Sequence, residues 1–137
     1  MNNPVGTTTI DFNSHQSNVN LNGQYPTSVI DWGTNVWWVA APWGQFTTNS
    51  ISFNRAGITS GSLSFVIPKR LVSIKAYNGG TTASTITLSC AGNTTTVQSV
   101  AVNQLVTIST GWTVGCSTVT VGSSNGWDTN LDDLTYN

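Results

Sequence analysis

Strict two-residue alternation of apolar and polar side chains, repeated along almost the whole chain, is what most limits the fold. Thr7-Thr8-Thr9-Ile10-Asp11-Phe12, Ser50-Ile51-Ser52-Phe53, Ser62-Leu63-Ser64-Phe65-Val66-Ile67 and Leu71-Val72-Ser73-Ile74-Lys75-Ala76-Tyr77 all carry it. So do 85–90, 94–100, 105–109, 116–121 and 131–136, while 29–32 and 36–39 are dense in β-branched and aromatic residues. Successive side chains of a strand point to opposite faces, so each run reads as a half-buried strand. No window holds enough good helix formers for a long helix. Asn22-Gly23, Asn78-Gly79 and Asn125-Gly126 add turn signals, because Gly tolerates the positive φ that tight turns need. About ten short strands with turn punctuation predict an all-β antiparallel sandwich of jelly-roll type.

At 137 residues the chain is one domain's worth. The start, 1–6, reads as linker, and 7–137 as the folded module. Charged residues are only 7% of the total, with five Asp, no Glu and a net charge of −1. Such a surface has no field to hold nucleic acid or anionic lipid, so neither is an expected partner. No apolar run is long enough to span a membrane. Cys90 and Cys116 each sit at the end of a strand-like run. A bridge between them would close a loop of about 26 residues and stabilise the fold by about 3 kcal/mol in the chain-entropy model. Two separately buried thiols are the alternative. A disulfide would place the protein outside the cell.

Aromatic residues carry the functional signal. Tyr25, Trp32, Trp37, Trp38 and Trp43 fall within nineteen residues, and Trp112 and Trp127 follow. A pyranose ring presents a flat face of C–H bonds, and an exposed, rigid indole meets it at low entropic cost. Neighbouring Thr, Ser, Asn and Gln then bond the sugar hydroxyls without charge. The competing reading is that the indoles are core. Trp37 and Trp38 must face opposite ways, so one of the two is core. Trp43, between Pro42 and Gly44, and Trp112, after Gly111, read as loop residues. At least three of the seven aromatics are expected to meet sugar.

Asp11 lies in the first strand and Asp132-Asp133 in the last, and these strands are expected to be neighbours. Carboxylates converging there, with Asn13, would suit Ca²⁺; hydrogen bonds from backbone amides are the alternative. Catalytic patterns fail. Gly122-Ser123-Ser124-Asn125-Gly126 matches a nucleophile elbow in form, but no helix follows and His15 is the one histidine. Two opposed catalytic carboxylates are hard to assemble from five Asp and no Glu. Lys69-Arg70 reads as a solvated turn, and Asn93-Thr94-Thr95 is a glycosylation acceptor in form only.

Thr9-Ile10-Asp11-Phe12-Asn13, Asn49-Ser50-Ile51-Ser52-Phe53 and the closing Trp127-Asp128 with Leu131-Asp132-Asp133-Leu134-Thr135-Tyr136 together resemble the non-catalytic carbohydrate-binding modules appended to bacterial endoglucanases. The resemblance spans about Thr7 to Tyr136. It implies a secreted, monomeric jelly-roll module with an aromatic-lined groove for soluble β-glucan: cello-oligosaccharides, β-1,4/β-1,3-glucans or xyloglucan. It also implies a hydrolase domain in the same polypeptide and a structural Ca²⁺, with Asp132 matching the closing-strand ligand and Asp11 or Asn13 the opening one. A spacer or adhesin sandwich without a glycan ligand is the rival, and a small glycosidase or lyase a further one.

Overall fold

The structure, a computed structural model, describes residues 6–137. The segment 1–5, most of the expected linker, lies outside the described residues. Twelve strands follow one another: β1 (Thr8–Ile10), β2 (Val19–Leu21), β3 (Ile30–Asp31), β4 (Trp37–Ala40), β5 (Ser50–Phe53), β6 (Ser60–Lys69), β7 (Leu71–Asn78), β8 (Ser84–Ser89), β9 (Thr96–Val100), β10 (Leu105–Ser109), β11 (Cys116–Ser123) and β12 (Thr129–Tyr136). A single 3-10 turn, Gly126–Asp128, precedes β12.

The larger sheet has the order β10-β7-β12-β5-β4-β2, with β1 also paired to β12; the smaller runs β3-β6-β11-β8-β9. Every pairing is antiparallel. The chain crosses repeatedly between sheets, as in a jelly roll. First and last strands are indeed neighbours, with Thr8 opposite Tyr136.

The alternation read from the sequence is what closes the sandwich. Trp37, Val39, Ile51, Ile74, Ala76 and Leu131 point inward from the larger sheet, and Ile30, Leu63, Phe65, Ile86, Leu88, Val119 and Val121 from the smaller. Burying each large apolar side chain contributes about 1.5–3 kcal/mol. A run of aromatic contacts crosses this core: Phe12 to Trp32 at 5.7 Å, Trp32 to Trp37 at 5.6 Å, and Trp37 to Phe53 at 5.1 Å.

Three of the expected sugar-stacking indoles are therefore structural. Trp32 and Trp37 are fully buried and Trp112 is 4% exposed. Each indole N–H donates to a main-chain carbonyl: Trp32 to Tyr25 O, Trp37 to Ser62 O, Trp112 to Thr94 O. That satisfies the one polar atom which would otherwise keep an indole at the surface. Glycine before Trp112 signals a loop, but not that the loop folds inward.

Cys90 and Cys116 form a disulfide, with Cα atoms 6.2 Å apart, joining the end of β8 to the start of β11. Two smaller readings change. Arg70 is not merely a solvated turn residue: its Nε donates to Asn137 Oδ1 and its Nη1 to Trp112 O, fastening the C-terminus. Asn93 accepts from the Thr113 and Val114 amides and donates to Val114 O, so its amide is a loop clamp. The Asn-Gly turns also differ from hairpins. Each leads from one sheet to the other, not between paired neighbours.

Candidate functional site: a tryptophan-walled cleft

The outer face of the larger sheet carries the outward positions of the same alternating strands. Trp38 on β4 stands opposite Ser52 on β5, Asn130 on β12 opposite Tyr77 on β7, and Asp132 opposite Lys75. Trp38 is the outward partner of buried Trp37, which resolves the pair. The loop 41–49 between β4 and β5 folds back over this face and brings Trp43. The 3-10 turn brings Trp127. Between Trp38, Trp43 and Trp127 lies a cleft of about 380 Å³, with Ala40, Ser52, Asn54 and Asn130 among its lining. Its volume falls in the range of small-molecule sites. Trp43 is 41% and Trp127 48% exposed.

One corner sets both loop-borne indoles. Asn78, fully buried, donates to Thr82 O and Val100 O and accepts from the Gly80 amide and from Asn125 Nδ2. Asn125 Oδ1 in turn accepts from the Ser123 and Thr129 hydroxyls. This network holds the turn that carries Trp127, and the Gly79 amide donates to Asp128 O. Trp43 rests on the same corner. A Cβ at Gly79 would lie 2.1 Å from the outer edge of its ring, so only glycine leaves that seat open. Trp43 also meets Tyr77 edge-on at 5.5 Å, beside buried Phe46 at 6.0 Å from Tyr77. Gly44, at φ +58°, lets the loop approach: a Cβ there would sit 2.3 Å from the Tyr77 ring.

The far end of the loop is fastened too. The Asn49 amide donates to Asn13 Oδ1, Asn49 Nδ2 donates to Phe12 O and His15 O, and Thr48 Oγ1 donates to Asp132 Oδ2. Gln45 Nε2 donates to Asn103 O. The floor of the cleft is polar and buried: Asn130 Nδ2 donates to Ser50 Oγ at 2.9 Å, and Ser52 lies beside them. Among the described residues, no charged side chain lines the cleft. Apolar walls over a neutral floor can take a ring with C–H faces and equatorial hydroxyls, and offer no acid or base.

Of the expected aromatics, Trp38, Trp43 and Trp127 converge here, and Trp32, Trp37 and Trp112 do not. Tyr25 is half-buried elsewhere, its hydroxyl bonded to Ser14 and Asp11 O and its ring 5.0 Å from His15. Sequence reasoning missed Ser52, Asn54 and Asn130. The signal was present for two of them, since Ser52 and Asn130 take outward positions on strands whose inward positions are apolar, and Asn54 directly follows β5.

Asn13 and Asp132 line a second recess beyond the loop. Asp132 is 2% exposed, and its pKa is pushed up to about 6, chiefly by burial, with the like charges of Asp133 and Asp11 adding to the rise. The amide of Asp133 and the hydroxyl of Thr48 partly offset this. Lys75 is engaged with Asp133 at 3.1 Å. Asp11 accepts from the Asn13 amide. Among the described residues, no three acidic, His or Cys groups gather as a metal cluster.

Compared with known proteins, the chain matches no family model, no curated protein and no solved structure.

Proposed function

We propose that this protein is a non-catalytic carbohydrate-binding module that takes a soluble β-glucan chain in the Trp38–Trp43–Trp127 cleft. One observation carries the reading: three indoles from three separate elements stand around a neutral, hydrogen-bonding floor. Aromatic contact contributes about 0.5–1.5 kcal/mol per pair beyond area burial, so three walls and a few hydroxyl contacts give a modest affinity, about 10–100 μM. Among the described residues the lining holds no carboxylate, imidazole or thiol, which favours binding over bond cleavage. Cello-oligosaccharides, mixed β-1,4/β-1,3-glucans and xyloglucan backbones share the required ring faces. In this reading the module is secreted, as its disulfide suits an oxidising compartment, and it concentrates a tethered hydrolase on polysaccharide.

A structural Ca²⁺ belongs to the same proposal. The residues fit in part: a buried carboxylate at Asp132, crowded by like charges, gains from a cation. Asp132, Asp11 and the Asn13 amide oxygen would hold it, with carbonyls or water completing six to eight oxygens.

Native affinity electrophoresis in gels containing hydroxyethylcellulose or xyloglucan tests the reading. The parent protein is retarded; Trp43→Ala and Trp38→Ala run as in glucan-free gels, with melting temperatures within a few degrees of the parent. Unretarded parent protein across a glucan panel leaves the spacer reading standing, and reducing-sugar release would make the domain an enzyme.

A further inference from the structure

Outside the neutral lining of the cleft, at its Asn54 end, a chain of amides leads to a cation. Asn54 follows β5 with its side chain in the cleft lining. Its Nδ2 donates to Asn20 Oδ1 at 3.1 Å and to Asn35 Oδ1 at 2.8 Å, which fixes the amide's orientation. The main-chain N–H of Asn35 donates to Asn22 Oδ1. Asn54 Oδ1 is thereby turned toward Arg55, whose Nη1 donates to it and to Asn35 O, both at 3.0 Å. Two acceptors on one nitrogen anchor the guanidinium while the exposed side chain faces solvent.

Among the described residues no carboxylate pairs with Arg55, and the one ion pair joins Lys75 to Asp133. Arg70 is committed to Asn137 and Trp112. A guanidinium already held in place loses less side-chain entropy on meeting a ligand, and its planar fork matches a carboxylate.

Resting on the glycan reading above, we infer that Arg55 forms an acidic-sugar subsite at the Asn54 end of the cleft, selecting a β-linked chain with a uronate carboxylate at that position. Asn54, with both Nδ2 hydrogens committed, fixes the guanidinium through Oδ1, and Arg55 takes the carboxylate.

The test pairs two probes that differ only at C6: cellohexaose, and cellohexaose oxidised there to carry glucuronate units. Isothermal titration at low salt reads the ratio of their affinities. The parent protein prefers the oxidised probe about 5-fold, in the range of a partly exposed charged hydrogen bond. The ratio falls to about one in Arg55→Gln, stays near five in Lys69→Gln, and shrinks as salt screens the contact. Equal affinities in the parent protein, or a preference that survives Arg55→Gln, overturn the subsite while leaving the cleft in place. Failure of both probes to bind overturns the glycan reading itself, and the subsite with it.

Discussion

The two sheets present outer hollows of nearly equal size, about 380 Å³ over the larger sheet and about 370 Å³ over the smaller, yet the hollows have different chemistry. Over the smaller sheet the lining is all small: Ser60 from β6, Thr85 and Thr87 from β8, Thr120 and Gly122 from β11. Beside it, hydroxyls meet one another across strands, Ser62 with Thr120 and Ser64 with Thr118, each at 3.2 Å. Such short side chains offer little flat apolar area. Over the larger sheet the polar atoms sink to the floor and indoles rise as walls. Volume alone does not make a binding site. Desolvated apolar contact beside a few placed polar groups does.

A glycine lies at each hollow, Gly79 under Trp43 and Gly122 beside Thr87, and a methyl can be added at either. Gly79→Ala puts a methyl 2.1 Å from the rim of Trp43 and must push that indole off its seat. Gly122→Ala puts one 2.4 Å from Thr87 Oγ1, which a rotamer change relieves. Titration with cellohexaose should show a loss of about tenfold for Gly79→Ala, the scale of one lost aromatic contact with its buried area. For Gly122→Ala it should show no change beyond about twofold. Matching losses would mean that the two faces do not differ in the way their lining suggests.

Most of this fold was legible and half of the site was not, for one physical reason. Alternation is local. It placed β5 at Ser50–Phe53 and β10 at Leu105–Ser109, and the other clear runs to within a few residues. It missed β2, three residues around a central Asn, which forms only because β4 offers an edge. Whether an indole is covered depends instead on which distant loop folds over it. Trp112 looked like Trp43 in sequence, each beside a glycine in a loop, but Trp112, like Trp32, found a carbonyl partner inside the sandwich. Trp43 instead rests over Gly79, edge-on to Tyr77, with its other side open to solvent. The Asn-Gly dipeptides carried more than a turn signal. At Asn78 and Asn125 the amides themselves are the buried joint that positions both loop indoles.

The faces differ last in ionisation, and with the smallest effect. The larger sheet buries Asp132 under Thr48, whereas Asp31 on the smaller sheet is exposed, its carboxylate capping the Gly33 amide. Because the Asp132 carboxyl in the folded protein ionises near pH 6 and not near its ordinary 3.8, the native state keeps a proton there that the unfolded chain has already lost. Stability therefore falls as pH rises from about 4 to about 6, then levels. In EDTA, the melting temperature should be a few degrees lower at pH 7 than at pH 5. Asp132→Asn should abolish that slope and Asp31→Asn should keep it. Adding Ca²⁺ at pH 7 should recover the lost degrees in the parent protein but not in Asp132→Asn, since a cation bound to the ionised native site stabilises by mass action. A slope that Ca²⁺ leaves untouched would mean that Thr48 and the Asp133 amide are all the compensation this carboxylate has, and that the loop carrying Trp43 is secured without a metal.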